Sequence, residues 1–302
     1  MKKSLFFLFI SAVILLSIMA AVVNKPVFIK DTGVEPLPQI IKAVPIKKTY
    51  TFAGEVIPVE NFDVKERLDR ELLVNSYYHS STIQYIKLAN RYFPEIEKIL
   101  KKNGIPDDFK YLAVAESGLR NVVSKAGATG FWQLMKPIAK ELNMEVYSEV
   151  DERYDFEKST EAACRYLKKL KKQYGSWINA AAAYNLGMKK FSQALEREKE
   201  SEYLNLNLND ETMRYIFRIV AIKEIMSNPE QYGFFVSAND KYAPLDNYFK
   251  VKITSNVDNL GDFAHKYNIS YRQLKIYNPW LRSHKLTVKK NVYYVKIPRG
   301  LK

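Results

Sequence analysis

The sequence predicts a mainly α chain: an apolar N-terminal helix, an all-α domain, and a small βααβ unit at the C-terminal end. Three observations carry this. Apolar residues recur at helical spacing from about Val64 to Pro229, two alternating runs enclose two short helical ones after Asn247, and Ser4 to Val23 is twenty residues without a charge. With 302 residues the chain has room for roughly two domains, and 47% apolar residues with 13% aromatics exclude wholesale disorder.

Residues 1–23 begin with Lys2 and Lys3 ahead of the apolar run, the pattern of a membrane-spanning helix with its positive end inside. Everything downstream then lies outside the cytoplasm, on the periplasmic side of a cell envelope. A cleaved signal peptide is the rival reading, but Met19-Ala-Ala21 matches the small-x-small cleavage pattern poorly, so a retained anchor is preferred. No cysteine follows the run, which closes the lipoprotein route. Residues 24–60 carry Pro26, Pro36, Pro38, Pro45 and Pro58 with little periodicity and are expected to be an extended tether.

A domain over 61–240 follows, with helices expected at Glu66 to Ile86, Pro94 to Lys102, Phe109 to Ser117, Ile138 to Leu142, Thr160 to Tyr174, Ile178 to Tyr184 and Thr212 to Met226. Between them, Ser124 to Gln133 is rich in Gly, Ala and Ser and reads as a loop held by a helical scaffold. After a connection over Ser237 to Asn247, strands are expected at Tyr248 to Thr254 and Val292 to Ile297, with helices at Leu260 to Tyr267 and Tyr271 to Tyr277 between them, making a unit over 248–298.

Charge is uneven. Of a formal net +14, residues 241–302 supply most, with 13 Lys and Arg against 3 Asp. Such a surface suits an anionic partner, and export points to an envelope polymer or lipid head group; no nucleic acid partner is expected. The single cysteine, Cys164, excludes an intrachain disulfide and sits at helical spacing from Leu167, as a packed thiol would. His79, His265 and His284 have no ligand spacing, so neither metal nor other cofactor is expected. Lys168-Lys169 and Lys171-Lys172 read as a solvated helix face.

Chemistry concentrates at Glu116. It follows the apolar positions Phe109, Leu112 and Ala113 on one side of a helix that Asp107 or Asp108 can cap and Gly118 can end. An inward carboxyl in the last turn, beside unsatisfied carbonyls, should titrate high and donate a proton near neutrality. An exposed Glu at a frayed helix end is the bland reading of the same residues.

Glu116-Ser117, Gly130-Phe-Trp-Gln133 and Ala183-Tyr-Asn185 are each weak signals, but in this order they resemble the catalytic domain of the soluble-lytic type of lytic murein transglycosylases, glycoside hydrolase family 23. The resemblance spans roughly Ile83 to Gly233 and is strengthened by Tyr154-Asp-Phe-Glu157, by the helix bearing Ala162, Ala163 and Leu167, and by Glu211-Thr-Met-Arg-Tyr215. It implies a lysozyme-like fold of the goose type. Tyr248 to Pro298 resembles one LysM module, with Tyr277-Asn-Pro279 at its usual turn. In two places the chain departs from the pattern. Gly-Phe-Trp-Gln replaces the usual Gly-Leu-Met-Gln and is expected to reshape the cleft wall, and Asn256-Val-Asp-Asn-Leu260 replaces the usual Gly-Asp-Thr-Leu turn, which puts glycan affinity in doubt more than fold.

The resemblance implies a peptidoglycan glycan strand as partner and Glu116 as lone acid and base, giving 1,6-anhydromuramoyl ends without hydrolysis. Glycosidases with two carboxylates hold the second roughly 5 to 9.5 Å away. None lies in the other motifs, and the loop setting of Asp151, Glu152 and Asp155 favours helix capping. Gln133 and Asn185 suit acetamido and hydroxyl groups. Tyr184 and Tyr215 either orient Glu116 or fill core, Ser117 braces the cleft, Phe131 and Trp132 either stack on pyranose faces or pack inside, and Gly127 and Gly130 permit the turn. Lysozyme-type hydrolysis, a non-enzymatic glycan-binding scaffold and nucleic-acid binding are the competing functions, the last resting on charge alone.

Overall fold

A computed structural model describes residues 42–289 and 292–300, so the expected anchor at 4–23 and most of the expected tether lie outside the described residues. Among those described, no helix is long and apolar enough to cross a membrane. The chain from Val44 onward is mainly helical with a small C-terminal sheet unit.

Where the sequence suggested a tether, residues 50–57 form a hairpin, β1 (Tyr50–Phe52) against β2 (Glu55–Ile57), with Tyr50 paired to Ile57. Ala53-Gly54 makes the turn, both residues at positive φ. Phe52 and Ile57 are fully buried, which a tether would not allow.

Helix α1 (Phe62–Ser76) and α2 (His79–Lys102) correct two expectations at once, because the break falls at Tyr77-Tyr78 and not before Pro94, which sits inside α2. Aromatic packing on both sides holds this stretch: Tyr92 meets Phe131 and Phe156, and Phe93 meets Tyr111 edge-on. Helix α3 (Phe109–Ser117) falls where expected. Then come α4 (Lys136–Glu141), α5 (Phe156–Tyr174), α6 (Trp177–Leu186), α7 (Met188–Glu198) and α8 (Asp210–Ser227). Sequence reading passed over α7, although its spacing buries Phe191 and Ala194 on one side.

Two helices are buried on nearly all sides. In α6, Ala180 to Ala183 have no exposed surface, and α8 packs on α1, α3 and α6 through Ile216, Phe217, Ile219 and Val220. Small side chains let helices pack closely around α6, at little side-chain entropy cost. Glu55 of β2 caps α6, its carboxylate accepting from the N–H groups of Trp177 (2.6 Å) and Ile178 (2.9 Å). Although burial alone would raise it, these donors and Lys171 hold the Glu55 carboxyl below its usual range.

The C-terminal unit has the expected βααβ order: β3 (Tyr248–Ile253), α9 (Leu260–Lys266), α10 (Tyr271–Tyr277) and β4 (Tyr293–Pro298), with Tyr248 opposite Pro298 and Ile253 opposite Tyr293. In the departed turn, Asn259 caps α9 through the N–H groups of Gly261 and Asp262, and Asn256 accepts from Val288 N–H at 2.9 Å. The fold therefore keeps its turn with different residues. Asn278 is fully buried and clasps the backbone of Lys296 in both directions at 2.7 Å.

This unit is not free to swing on a linker. Val150 and Tyr147 of the helical part share its core with Leu260, Trp280 and Val295. Asp151 N–H donates to Trp280 O, Arg282 N–H to Glu149 O and Thr287 N–H to the Glu149 carboxylate. The connection over 237–247 is pinned too, Tyr242 donating its N–H to Lys87 O while Arg91 donates to Ala243 O.

Candidate active site

Helix α3 buries Phe109, Leu112 and Ala113 and carries Glu116 on that side in its last turn. Gly118 ends it in the left-handed region, φ 60°, and donates its N–H to Val114 O. A Cβ there would lie 2.6 Å from Tyr85 Cε1, so the stop is steric as well as conformational. The start differs from expectation. Asp108 occupies the cap position, but its carboxylate accepts from Ala53 N–H and Lys223 Nζ, both 2.7 Å, while Asp107 pairs with Lys110.

Glu116 is partly exposed, as a group that meets a ligand must be, and Tyr215 Oη donates to its Oε1 at 2.5 Å. Burial pushes its carboxyl from 4.5 up to about 7; the Tyr215 hydrogen bond and the Arg218 charge act in the opposite direction, and Glu211 adds to the rise. Near neutrality both protonation states are populated, the condition for one group to give a proton and later take one back. Burial, reinforced by the Glu116 charge, also drives the Tyr184 and Tyr215 hydroxyls well above the ordinary phenol value, so both remain neutral donors.

The three motifs meet through the backbone of the middle one. Ser117 Oγ donates to Phe131 O (2.9 Å), and Tyr184 Oη donates to the next carbonyl, Trp132 O (2.6 Å). Thr212, three residues before Tyr215 on α8, donates through Oγ1 to Asn185 Oδ1 at 3.1 Å, which leaves the Asn185 amide N–H groups without a partner among the described residues. Gln133, at φ 46°, turns its own amide back to Val122 O and Gly130 O, so its donor side is spent on the loop and its Oε1 remains as acceptor.

Several expected roles change. Trp132 has 0% exposure and donates Nε1–H to Thr160 Oγ1 at 2.8 Å, so it cannot stack on a sugar. Phe131, 3% exposed, packs against Tyr92 and Phe156. The bulky Phe-Trp pair thus fills core behind the loop, and what it offers its neighbours is its carbonyls. Ser117 is buried, with its hydroxyl also on Ala113 O, and braces the loop without facing a ligand. Gly130 is required by approach and not only by turn geometry: a Cβ would stand 1.9 Å from Arg153 O.

Asp151 pairs with Arg153 at 2.7 Å, Glu152 with Lys158, and Asp155 accepts from Lys158 N–H to cap α5. Capping and pairing occupy all three. Burial holds the Cys164 thiol at about 12, an inert packed group. Sequence reading missed Arg153, which is buried and donates to Gly127 O and Leu134 O, clasping the loop from inside. It gave Glu211 no role beyond its motif and passed over Arg218, both of which act on Glu116. Both were within reach of helical spacing, four before and three after Tyr215.

Helical body and C-terminal sheet unit each have a counterpart: residues 93–207 match the transglycosylase SLT domain, and residues 249–300 match the C-terminal LysM-like domain of soluble lytic transglycosylases. The chain carries both domains. It is 27% identical over 259 residues to membrane-bound lytic murein transglycosylase D of Escherichia coli K12, covering 83% of this chain and 55% of that protein, with the same figures for strain O6:H1. A putative tributyltin chloride resistance protein of Alteromonas sp. M-1 is 31% identical over 113 residues, 37% of this chain and 55% of that one. The chain spans about half the length of the curated relatives it matches.

Proposed function

We propose that the chain is a lytic transglycosylase of the cell envelope that cuts the β-1,4 bond between N-acetylmuramic acid and N-acetylglucosamine in peptidoglycan. The observation that carries this reading is the Glu116 carboxyl, raised to about 7 by burial and held by Tyr215. Protonated Glu116 gives its proton to the glycosidic oxygen as the C1–O bond breaks, and the muramoyl acetamido oxygen closes on C1. The C6 hydroxyl then attacks C1, reopens that ring and returns its proton to Glu116. A 1,6-anhydro end forms, water is not consumed, and the acid is regenerated. Gln133 Oε1 and the Asn185 amide supply the acceptor and donor that an acetamido sugar needs. A retained helix at residues 4–23 would hold the enzyme at the inner membrane.

Hydrolysis on the same fold is the second reading, and Glu211 motivates it: this exposed carboxylate lies close enough for its charge to raise Glu116, so it is the group a water-activating mechanism would use. Mass spectrometry of digested sacculi separates the two. Anhydro-ended products, lighter by one water, are expected; reducing ends alone, dependent on Glu211, would establish hydrolysis instead.

A further inference from the structure

A cavity of about 730 Å³ opens where the helical part meets the LysM-like unit, lined from both. Leu119, Arg120 and Asn121 form one wall, and Arg272, Tyr277 and Asp246 stand on others. None of Glu116, Gln133, Tyr184 or Asn185 belongs to it, so it is not the catalytic cleft. It is nevertheless close, since four residues of chain span at most about 14 Å between Glu116 and Arg120.

Its charges sort into two groups. Lys296 is paired with Glu157 at 2.8 Å, Lys275 donates to Leu281 O and Ser283 O, and Arg91 donates to Ala243 O. By contrast Arg120 and Arg272 make no ion pair among the described residues, and neither does Asp246. Free cations and a free carboxylate, set among Leu88, Leu245 and Ile276, suit a ligand with carboxylates, an amine and small apolar side chains. Tyr92, Tyr154, Tyr248 and Tyr277 also line the cavity, but a neutral sugar would leave two guanidinium groups and a carboxylate unpaired, which a zwitterionic ligand does not.

Resting on the peptidoglycan reading, we propose that this junction cavity is a second, non-catalytic binding site for the short zwitterionic peptide carried by the glycan strand. Arg120 and Arg272 take its carboxylates and Asp246 its amine. Bound there, the peptide fixes which muramoyl residue reaches Glu116.

The test is titration calorimetry of the full chain with a sugar-free stem tetrapeptide bearing free carboxylates and one free amine. Saturable binding is expected, weakened about tenfold or more by Arg272→Glu and again by Arg120→Glu, and unchanged by Glu116→Gln. Equal affinity in the arginine variants, no binding at all, or displacement of the peptide by peptide-stripped glycan would overturn the proposal. A kinetic arm adds the consequence: KM is expected to be lower for peptide-bearing than for amidase-stripped strands, and Arg272→Glu to erase that difference with kcat on stripped strands intact. Peptide binding by a chain that cuts nothing would leave this site standing and remove the catalytic reading; cutting without peptide binding would do the reverse.

Discussion

Glu116 and Glu149 are both shielded glutamates at the edge of the helical domain, yet they titrate in opposite directions. Glu116 faces one hydroxyl and is carried up to about 7. Glu149, where burial alone would also raise it, accepts from Thr287 N–H at 2.7 Å and Thr287 Oγ1 at 3.2 Å with Lys285 nearby, and is held below its usual range. Glu116 is much the more deeply buried of the two and has one donor, whereas Glu149 lies nearer solvent and has two donors and a lysine, so desolvation wins at the first and the partners win at the second. Glu116 is thus a buried carboxyl left under-supplied with donors, and Glu149 a shallower one given several.

Removing the under-supplied group altogether should have the largest effect. Glu116→Gln is expected to lower turnover of purified sacculi by roughly a hundredfold to ten-thousandfold, the usual worth of a general acid; unchanged turnover would remove Glu116 from the mechanism. The same change should stabilise the fold. Unfolded Glu116 ionises through about 4.5 while the folded group holds its proton to about 7, so stability falls as pH rises across that window. Thermal melts should therefore show Glu116→Gln more stable than the parent by about 1–3 kcal/mol at pH 8 and indistinguishable at pH 4.

Gly130→Ala attacks the loop that both neighbouring motifs hold. With a Cβ 1.9 Å from Arg153 O, backbone must move, and a loss of about 3 kcal/mol is expected by denaturant titration. Tyr215→Phe sharpens the comparison by making Glu116 poorer still. Its carboxyl should then titrate above about 7, so the alkaline limb of the rate profile moves to higher pH, with turnover down about tenfold. A limb that stays in place would show that this hydroxyl does not act on Glu116. Smallest is Glu149→Ala, which strips donors of their acceptor: about 1–2 kcal/mol lost at neutral pH, with faster hydrogen exchange at Thr287 as the local readout. Because Glu149 is held low, its contribution is present above about 4.5 and is lost as pH falls through the folded value, so the variant and parent should converge in acid.

Much of this was legible in residue patterns, for local reasons. Helix α3, its Gly118 stop and the inward Glu116 follow from spacing and one left-handed position, and α10 coincides with its expected range. What escaped depends on partners far along the chain. Pro94 stays inside α2 because Tyr92 and Phe93 are packed from other elements, and Trp132 reads equally as sugar platform or core until Thr160, twenty-eight residues on, takes its N–H. Gln133 spends its donors on Val122 and Gly130 and leaves only Oε1 free, a loop geometry that type and spacing do not encode. Residues 50–57 looked like tether since a six-residue hairpin register with three buried side chains leaves almost no periodic signature.

The segment around Val150 gives the chain an indivisibility that its domain boundaries conceal. Val146 belongs to one core and Val150, four residues later, to the other. Cutting before Tyr248 would bare Val150 and Tyr147 to water and strand the Glu149 carboxylate, so the helical half should not be as stable alone as it is in company. Across that seam the two parts share side chains and hydrogen bonds, so they are expected to melt together.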